Sequence, residues 1–289
     1  MKVVVLGASG MLGSMALREL AGDDTLEVTG TVRAALDAER AGVDDLARVL
    51  DGASWAVNAI GVIKPYIRDD DAAAIERALR VNGLFPHALA RAAERVGCRV
   101  LQIATDCVYA GTTGNYGETA PHDALDVYGK TKSLGEVYSP AVHHLRCSII
   151  GPEPKAHVSL LDWFLGQPRG ASVRGYVNHS WNGVTTLHFA RLCRGIIRQA
   201  LPLPGLLHVV PAGRVSKLEM LQCFARDYDR SDITITPQEA AVVIDRTLAT
   251  EHEDINRRVW ASAGFAEPPS VPDMIADLAR VSAPSRTAR

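Results

Sequence analysis

A tyrosine and a lysine spaced by one helical turn carry the main chemical signal of this chain. Tyr128 and Lys132 are four residues apart, so on a helix their side chains share one face. An ammonium beside a phenol favours the phenolate and lowers the pKa of the phenol, which makes it a usable proton donor near neutral pH. Thr105 follows an apolar segment and offers a hydroxyl that can hydrogen-bond a carbonyl oxygen. These three residues predict protonation of a carbonyl oxygen as hydride reaches its carbon.

A glycine turn near the N-terminus is the candidate site for the hydride carrier. Residues 2–6 predict a buried parallel strand, and a helical run begins at Ser14. Between them a glycine recurs every third residue, a spacing that lets a pyrophosphate approach backbone N–H groups at a helix N-terminus. The predicted cofactor contacts of this turn are Gly7, Ser9, Gly10, Met11, Leu12 and Gly13.

Two further strand ends extend the predicted cofactor site. Arg33 follows the strand predicted over 27–32, and no acidic residue ends that strand. An acid near this point would bond the 2′-hydroxyl of NAD, whereas an arginine accommodates a 2′-phosphate, so NADPH is favoured and NADH remains possible. The strand predicted over 55–60 ends in small residues across which a dinucleotide would lie, namely Asn58, Ala59, Ile60 and Gly61.

The alternation of strands and helices predicts the α/β class, with a Rossmann-type doubly wound parallel sheet and a smaller α/β substrate-binding lobe. Residues 1–152 are assigned to the dinucleotide-binding domain, which would take back about 186–210. Residues 153–289 are assigned mainly to the substrate lobe, with a disordered tail from about 282. We also expect a helix over 72–96 that breaks near Asn82, a strand over 144–150, a loop over 174–183 and a strand over 233–236 that Pro237 ends.

Composition excludes several classes of function. The 289 residues have a formal net charge of −2, which gives no reason to expect nucleic acid or an anionic membrane as a partner. The sequence shows no signal-peptide layout and no apolar run near the roughly 20 residues that span a bilayer. The five cysteines are scattered without a CxxC pair, and the histidines lack metal-ligand spacing. A cytoplasmic protein without a metal is therefore expected.

Together the motifs resemble the extended short-chain dehydrogenase/reductase superfamily. Four segments carry the resemblance, which covers most of the chain and is strongest from residue 1 to about 152: the glycine turn 7–13 and the segments 105–109, 128–136 and 145–152. Within that superfamily the chain is most similar to the branch of dTDP-4-dehydrorhamnose reductases and related nucleotide-sugar 4-ketoreductases, through segments 105–109, 116–118 and 245–248. It departs from that branch at Ile149, where an aromatic residue is usual, and over 58–65, so the sugar stays open.

The resemblance implies a role for each matched residue. Tyr128 would protonate the keto oxygen of a nucleotide-linked 4-keto-6-deoxy sugar, Lys132 would hold the nicotinamide ribose, and Thr105 would orient the carbonyl. A homodimer is also implied, paired through the helices over 72–96 and around Tyr128. The nucleotide sugar would meet the loop side chains Lys64, Arg174, Asn178, Trp181 and Asn182 together with Thr105.

Two other functions remain open at this stage. One is a nucleotide-sugar epimerase or dehydratase that keeps NAD bound, although dehydratases of this superfamily carry an acidic pair where this chain has Asp106 and Cys107. The other is a non-catalytic nucleotide-binding subunit, like the regulatory subunit of methionine adenosyltransferase. A chain with Thr105, Tyr128 and Lys132 all present favours the enzyme over the scaffold.

Overall fold

The computed structural model describes residues 1–155 and 157–282. Its strands are β1 (Lys2–Leu6), β2 (Glu27–Thr31), β3 (Trp55–Asn58), β4 (Arg99–Ala104), β5 (Val142–Arg146), β6 (Ile149–Ile150), β7 (Ser172–Tyr176), β8 (His179–Trp181), β9 (Val184–Thr185), β10 (Leu206–His208), β11 (Val215–Ser216), β12 (Thr234–Gln238) and β13 (Ile244–Asp245). Its α-helices are α1 (Met11–Ala21), α2 (Val43–Leu50), α3 (Ala72–Ala78), α4 (Phe85–Val96), α5 (Val127–Leu134), α6 (Leu160–Leu165), α7 (Thr186–Gln199), α8 (Lys217–Asp227), α9 (Glu253–Ser262) and α10 (Val271–Ser282).

A parallel sheet of six strands forms the centre of the molecule, in the order β10-β5-β4-β3-β1-β2. The apolar residues of β1 explain why helices cover both faces. Val3 and Val5 pack into the core that contains α1 and α7, whereas Val4 and Leu6 pack into the core that contains α2 and α4. The chain crosses from β1 to β2 on one face and from β2 to β3 on the other. The carboxyl ends of β1 and β3 therefore flank the topological switch point, where open α/β sheets bind ligands. The predicted doubly wound α/β fold is confirmed.

The second half of the chain contributes to this sheet and also forms smaller ones. β10 pairs in parallel with β5 through Leu206 and His144, so this part of the second half lies in the large sheet. α7 packs against α1. β7 pairs with β12, β8 pairs with β11 and β13, and β6 pairs with β9. Ile149 and Ile150 of β6 and Trp181 of β8 line the same cavity as Thr105, which follows β4 of the large sheet.

Two predictions about the second half were wrong. Segment 174–183 is not a loop, because 172–176 and 179–181 form β7 and β8. Pro237 does not end its strand, because it lies within β12 opposite Gly175. β12 pairs with β7 alone among the described strands, and an edge strand tolerates a proline whose missing N–H faces outward.

Two elements of the first half are interrupted. The break predicted near Asn82 in the helix over 72–96 is a π-helical turn, Leu79–Leu84, which joins α3 to α4. Pro86 lacks an N–H and would crowd the carbonyl four residues earlier in a regular helix, and the wider turn carries the chain past it. The strand predicted over 144–150 divides into β5 and β6, since Cys147 and Ser148 turn aside to line a cavity.

Within the described residues, no helix is long and apolar enough to cross a membrane. The predicted disordered tail lies outside the described residues, apart from Ser282 at the end of α10.

Candidate active site

A cavity of about 500 Å³ opens at the carboxyl edge of the central sheet. One side is formed by the turn after β1 and the segment after β3, and its floor by the end of β4. Tyr128 and Lys132 of α5 face into it together with Thr105. The segments after β5 and around α6 line the remaining wall, with Trp181 and Lys217. The three residues of the predicted proton-transfer site thus share one cavity with the glycine turn.

The glycine turn is built for close approach of a ligand to backbone. Gly7 has a φ of +81° and begins the turn, and a Cβ on Gly13 would lie 2.1 Å from the Gly7 oxygen. α1 therefore packs directly on the turn. No side chain caps the N-terminus of α1 at Gly10, and no acid lies in its first turn. Its first N–H groups remain available to an anion. The turn residues that line the cavity are Ser9, Gly10, Met11 and Leu12.

A shallower groove of about 190 Å³ continues from this turn past the end of β2. Arg33 lines it, and an Arg33 Nη atom lies 2.7 Å from a Glu39 carboxylate oxygen. Arg77 of α3 also lines the groove and bonds the same carboxylate oxygen at 2.8 Å. Two guanidinium groups thus flank the place where a 2′-substituent would lie. Arg77 was not anticipated, because nothing in the spacing of an exposed helical arginine connects it with the end of β2.

The segment after β3 divides into a buried anchor and a lining strip. The Asn58 side chain is fully buried, donates to Gln102 Oε1 at 2.7 Å and accepts from the Ile60 N–H at 3.1 Å. These two hydrogen bonds fix the backbone turn after β3 from the interior of the protein. Ala59, Ile60 and Gly61 line the cavity.

Thr105 serves as a cap and also faces the cavity. Its Oγ1 accepts from the Cys107 N–H at 3.1 Å and lies 3.2 Å from Asp106 Oδ1. It caps the short 3₁₀ helix Asp106–Val108, and it lies near enough to the Tyr128 phenol to lower the pKa of that group against the effect of burial. The Thr105 hydroxyl is thereby held beside the phenol.

The electrostatics of the Tyr128 and Lys132 pair differ from the sequence expectation. Burial is the largest influence on the Tyr128 phenol and raises its pKa, so the expected lowering of that pKa is not found. Burial also lowers the pKa of Lys132 to about 8, and its Nζ donates to the Ile103 carbonyl at 3.2 Å. The phenol is therefore protonated at neutral pH, which is the form that donates a proton.

The predicted substrate residues do not all reach the cavity. Lys64 lines it and forms an ion pair with Asp126 at 2.7 Å, and Trp181 lines it with its indole N–H donating to Ser148 Oγ at 2.8 Å. Arg174 is exposed on β7 outside it. The Asn178 amide bonds the backbone of Ala240, and the Asn182 amide bonds that of Leu248. Both amides tie neighbouring segments together, away from the cavity.

The family model described as RmlD substrate binding domain matches residues 1–150, which is half of the chain. The chain belongs to this family. The matched part holds the glycine turn, Thr105, Tyr128 and Lys132.

Curated relatives match just under half of this RmlD-family chain. A dTDP-4-dehydrorhamnose reductase of Burkholderia thailandensis is 35% identical over 142 residues, which is 47% of this chain and 45% of the relative. The enzyme of the same name from Streptomyces griseus is 38% identical over 136 residues, covering 46% and 43%. The chain thus spans about half the length of the curated relatives it matches.

A solved structure extends the likeness of fold to almost the whole chain. The Bacillus anthracis dTDP-4-dehydrorhamnose reductase in complex with NADP superposes with a TM-score of 0.79 at 17% identity, over 97% of this chain and 99% of the other. The RmlD family accordingly covers the cofactor half by sequence, and the fold of the second half is shared with little sequence likeness.

Several residues line the cavity of this RmlD-family chain although no sequence pattern indicated that they belong to the site. Lys217 begins α8, and its Nζ lies 5.7 Å from the centroid of the Trp181 ring. Cys107 lines the cavity beside Thr105, and burial raises the pKa of its thiol to about 12, so it is a neutral wall residue. Glu153 also lines it, but its carboxylate accepts the N–H groups of Val158 and Ser159.

Proposed function

We propose that this chain catalyses the NAD(P)H-dependent reduction of a nucleotide-linked 4-keto-6-deoxy sugar to the 4-hydroxy sugar. The observation that carries the proposal is the meeting of Thr105, Tyr128 and Lys132 in one cavity with the uncapped N-terminus of α1. The curated relatives named dTDP-4-dehydrorhamnose reductase support the reaction class.

Each of the three catalytic residues has a separate role in protonating the keto oxygen. The Thr105 hydroxyl and the Tyr128 phenol hydrogen-bond the keto oxygen and orient the carbonyl. Tyr128 then donates its proton to that oxygen as negative charge develops on it, and the Lys132 ammonium stabilises the phenolate that remains. A nicotinamide cofactor, when bound, supplies the hydride to the carbonyl carbon. One C–H bond and one O–H bond form at the former carbonyl, and Tyr128 regains its proton from solvent.

The site fits a dinucleotide, and NADPH is the cofactor we propose. The N–H groups at the start of α1 suit the pyrophosphate, and the contact of Gly13 with Gly7 leaves no side chain in its way. Arg33 and Arg77 flank the groove in which the 2′-phosphate of NADPH would lie. NADP in the Bacillus anthracis structure is consistent with this choice. Glu39 neutralises part of that charge, so NADH remains a possible donor.

The proposal is tested by following oxidation of NADPH and of NADH with dTDP-, CDP-, GDP- and UDP-linked 4-keto-6-deoxy sugars. Rapid loss of NADPH with one of them identifies both the reaction and the substrate. No oxidation of either cofactor by any sugar contradicts the reductase. Purification with tightly bound oxidised NAD would instead support the epimerase, and a stable complex with an unrelated enzyme would support a regulatory subunit.

A homodimer in the cytoplasm completes the proposal. The surface formed by α4, α5 and the π turn exposes Leu84 and Leu134, at 66% and 59% of their full areas. Leucines exposed next to one another mark a site of association. All five cysteines are free, as a reducing compartment keeps them. Light scattering on an eluting peak tests the dimer, and a monomer mass across the working concentration range contradicts it.

A further inference from the structure

A lysine from α8 reaches the cavity that contains Thr105 and Tyr128. Lys217 is the first residue of α8, almost 90 positions beyond Tyr128 along the chain. Its ammonium lies 5.7 Å from the centroid of the Trp181 ring, within the range of a cation–π contact. The indole N–H of Trp181 is engaged by Ser148 Oγ at 2.8 Å, which fixes the ring. Trp181 therefore holds the Lys217 side chain against the wall of the cavity.

Lys217 has no carboxylate in ion-pair contact among the residues that the structure describes. Lys64, another lysine of the cavity wall, is paired with Asp126, whereas Lys217 forms no ion pair within the parts of the chain that the structure describes. Asp106 is the acid that acts on it, and the cations Lys217 and Arg246 both act on Asp106. On α8 itself, Glu219 is engaged by the backbone N–H and hydroxyl of Ser216.

Burying an ammonium without a carboxylate partner costs free energy, and an anionic ligand that binds the ammonium would offset this cost. A lysine offers three donors around a compact positive charge, which suits the oxygens of a phosphate or a carboxylate. The backbone N–H groups of α8 do not compete for that anion, because Ser216 and Glu219 already form its capping box. The side chain of Lys217 is thus the part of α8 that is available to a ligand.

We propose that Lys217, supported by Trp181, binds an oxyanion of the substrate and so determines which sugar nucleotides the cavity accepts. This inference rests on the proposed function, since a nucleotide sugar offers two such groups. One is the diphosphate that joins nucleoside and sugar, which the proposed 6-deoxy substrate carries. The other is a sugar carboxylate, which only a substrate other than a 6-deoxy sugar would carry. Both present the same anionic oxygens to the ammonium, and binding experiments distinguish them.

The experiment measures, by calorimetry on the full chain, the affinities of dTDP, thymidine, UDP, uridine, UDP-glucose and UDP-glucuronate. Lys217→Met removes the charge and keeps a side chain that can lie on Trp181, whereas Lys217→Arg keeps the charge. Lys130→Gln, at an exposed position of α5, is the matched control. Loss of a charge-assisted contact weakens binding roughly tenfold or more.

If Lys217 binds the diphosphate, Lys217→Met weakens dTDP or UDP and leaves the nucleosides unchanged. If it binds a sugar carboxylate, the variant weakens UDP-glucuronate and leaves UDP-glucose unchanged. In either case Lys217→Arg restores much of the affinity, and added salt weakens the wild type more than Lys217→Met. Lys217→Gln repeats the measurement if the methionine variant does not fold.

Equal affinities of the wild type and Lys217→Met for every probe overturn the inference, and so does a wild type that binds none of them. Neither result depends on turnover. A chain that reduces a keto sugar but shows no effect of Lys217→Met retains the proposed function and loses this inference. If Lys217→Met selectively loses anion binding but the chain reduces no keto sugar, the inference about Lys217 holds and the proposed function is lost.

Discussion

At the scale of single residues, burial governs the acid–base chemistry of the candidate site. The surrounding protein raises the pKa of Tyr128 and lowers that of Lys132 to about 8. Burial thus shifts both groups toward their neutral forms, and Lys132 is still charged at pH 7. The next influence on Lys132 is Glu136, one turn further along the chain, which raises its pKa. Glu136 is held by the fully buried Arg146. The balance of these effects determines the pH range in which Lys132 is charged.

The phenol of Tyr128 is the group we expect the reaction to require. In Tyr128→Phe the ring keeps its shape and loses the proton, and a general acid accounts for about 10²- to 10⁴-fold in rate. We expect kcat to fall by that factor while the Kd of NADPH, from fluorescence titration, changes by about twofold or less, since ring packing is kept. Turnover retained by the variant would contradict the acid role.

The lowered pKa of Lys132 predicts a pH-dependent affinity for the cofactor. Lys132 loses its positive charge as pH rises through about 8, so the Kd of NADPH should be several-fold higher at about pH 9.5 than at about pH 7. In Lys132→Arg the cation persists over this range, and the dependence should disappear. The same pH dependence in both proteins would assign it to another group.

At the scale of elements, α5 is positioned by a glycine that lies directly beside the end of β4. A Cβ on Gly129 would lie 2.4 Å from the Cys107 carbonyl oxygen and 2.4 Å from the Ala124 Cβ. α5 is also capped by Asp126, which accepts the Gly129 N–H at 2.8 Å and forms the ion pair with Lys64. The helix thus contacts the segment after Thr105 without an intervening side chain, and this contact places Tyr128 beside Thr105.

Gly129→Ala should therefore damage activity more than stability. The added methyl must displace α5 or the Cys107 backbone, and a displacement of about 1 Å at a catalytic group costs about 10²-fold in rate. Overpacking of this kind destabilises by about 1–3 kcal/mol, measured by urea denaturation. Gly205→Ala is the control, since a Cβ there meets nothing within 4 Å. Equal kcat values for the two variants would show that the contact does not position Tyr128.

At the scale of the whole molecule, one hydrophobic core joins the two halves of the chain. It contains Leu12 of α1, Leu187 of α7, Trp260 of α9 and Met274 of α10. α7 lies between α1 and α9 within this core. His188 of α7 is fully buried there, with Nδ1 2.7 Å from Thr185 Oγ1 and Nε2 3.5 Å from Asp277 Oδ2.

The burial of His188 predicts a loss of stability in mild acid. Burial lowers the pKa of this imidazole, so below about pH 6.5 the unfolded chain binds a proton that the folded chain does not. The free energy of unfolding therefore falls as pH falls from about 6.5 to about 4, by up to about 1.4 kcal/mol per pH unit for one proton. Urea denaturation at several pH values should show a shallower dependence in His188→Gln.

The remaining dependence belongs to other buried histidines, since His143, His144 and His208 also have lowered pKa values. A His188→Gln variant as acid-sensitive as the wild type would show that Asp277 compensates for the charge on His188.

Local patterns were sufficient to predict the parts of this protein that depend on neighbours in the chain. The glycine turn after β1 and the spacing of Tyr128 and Lys132 are short-range features that the sequence shows directly. The order of parallel strands then brings Thr105 to the same sheet edge as the turn, because carboxyl ends of such strands share an edge.

Tertiary structure determined which residues of the second half of the chain reach the candidate site. Asn178 and Asn182 carry amide side chains suited to a sugar. Each amide instead hydrogen-bonds a backbone carbonyl, that of Ala240 after β12 and that of Leu248 after β13. Lys217 and Arg77 lie far in sequence from the residues they join, and no local period connects them. The pKa of Tyr128 is likewise a property of burial, and its direction is the reverse of what the neighbouring Lys132 alone implied. Local sequence thus determined which residues could transfer a proton, and long-range packing decided their environment and the residues opposite them.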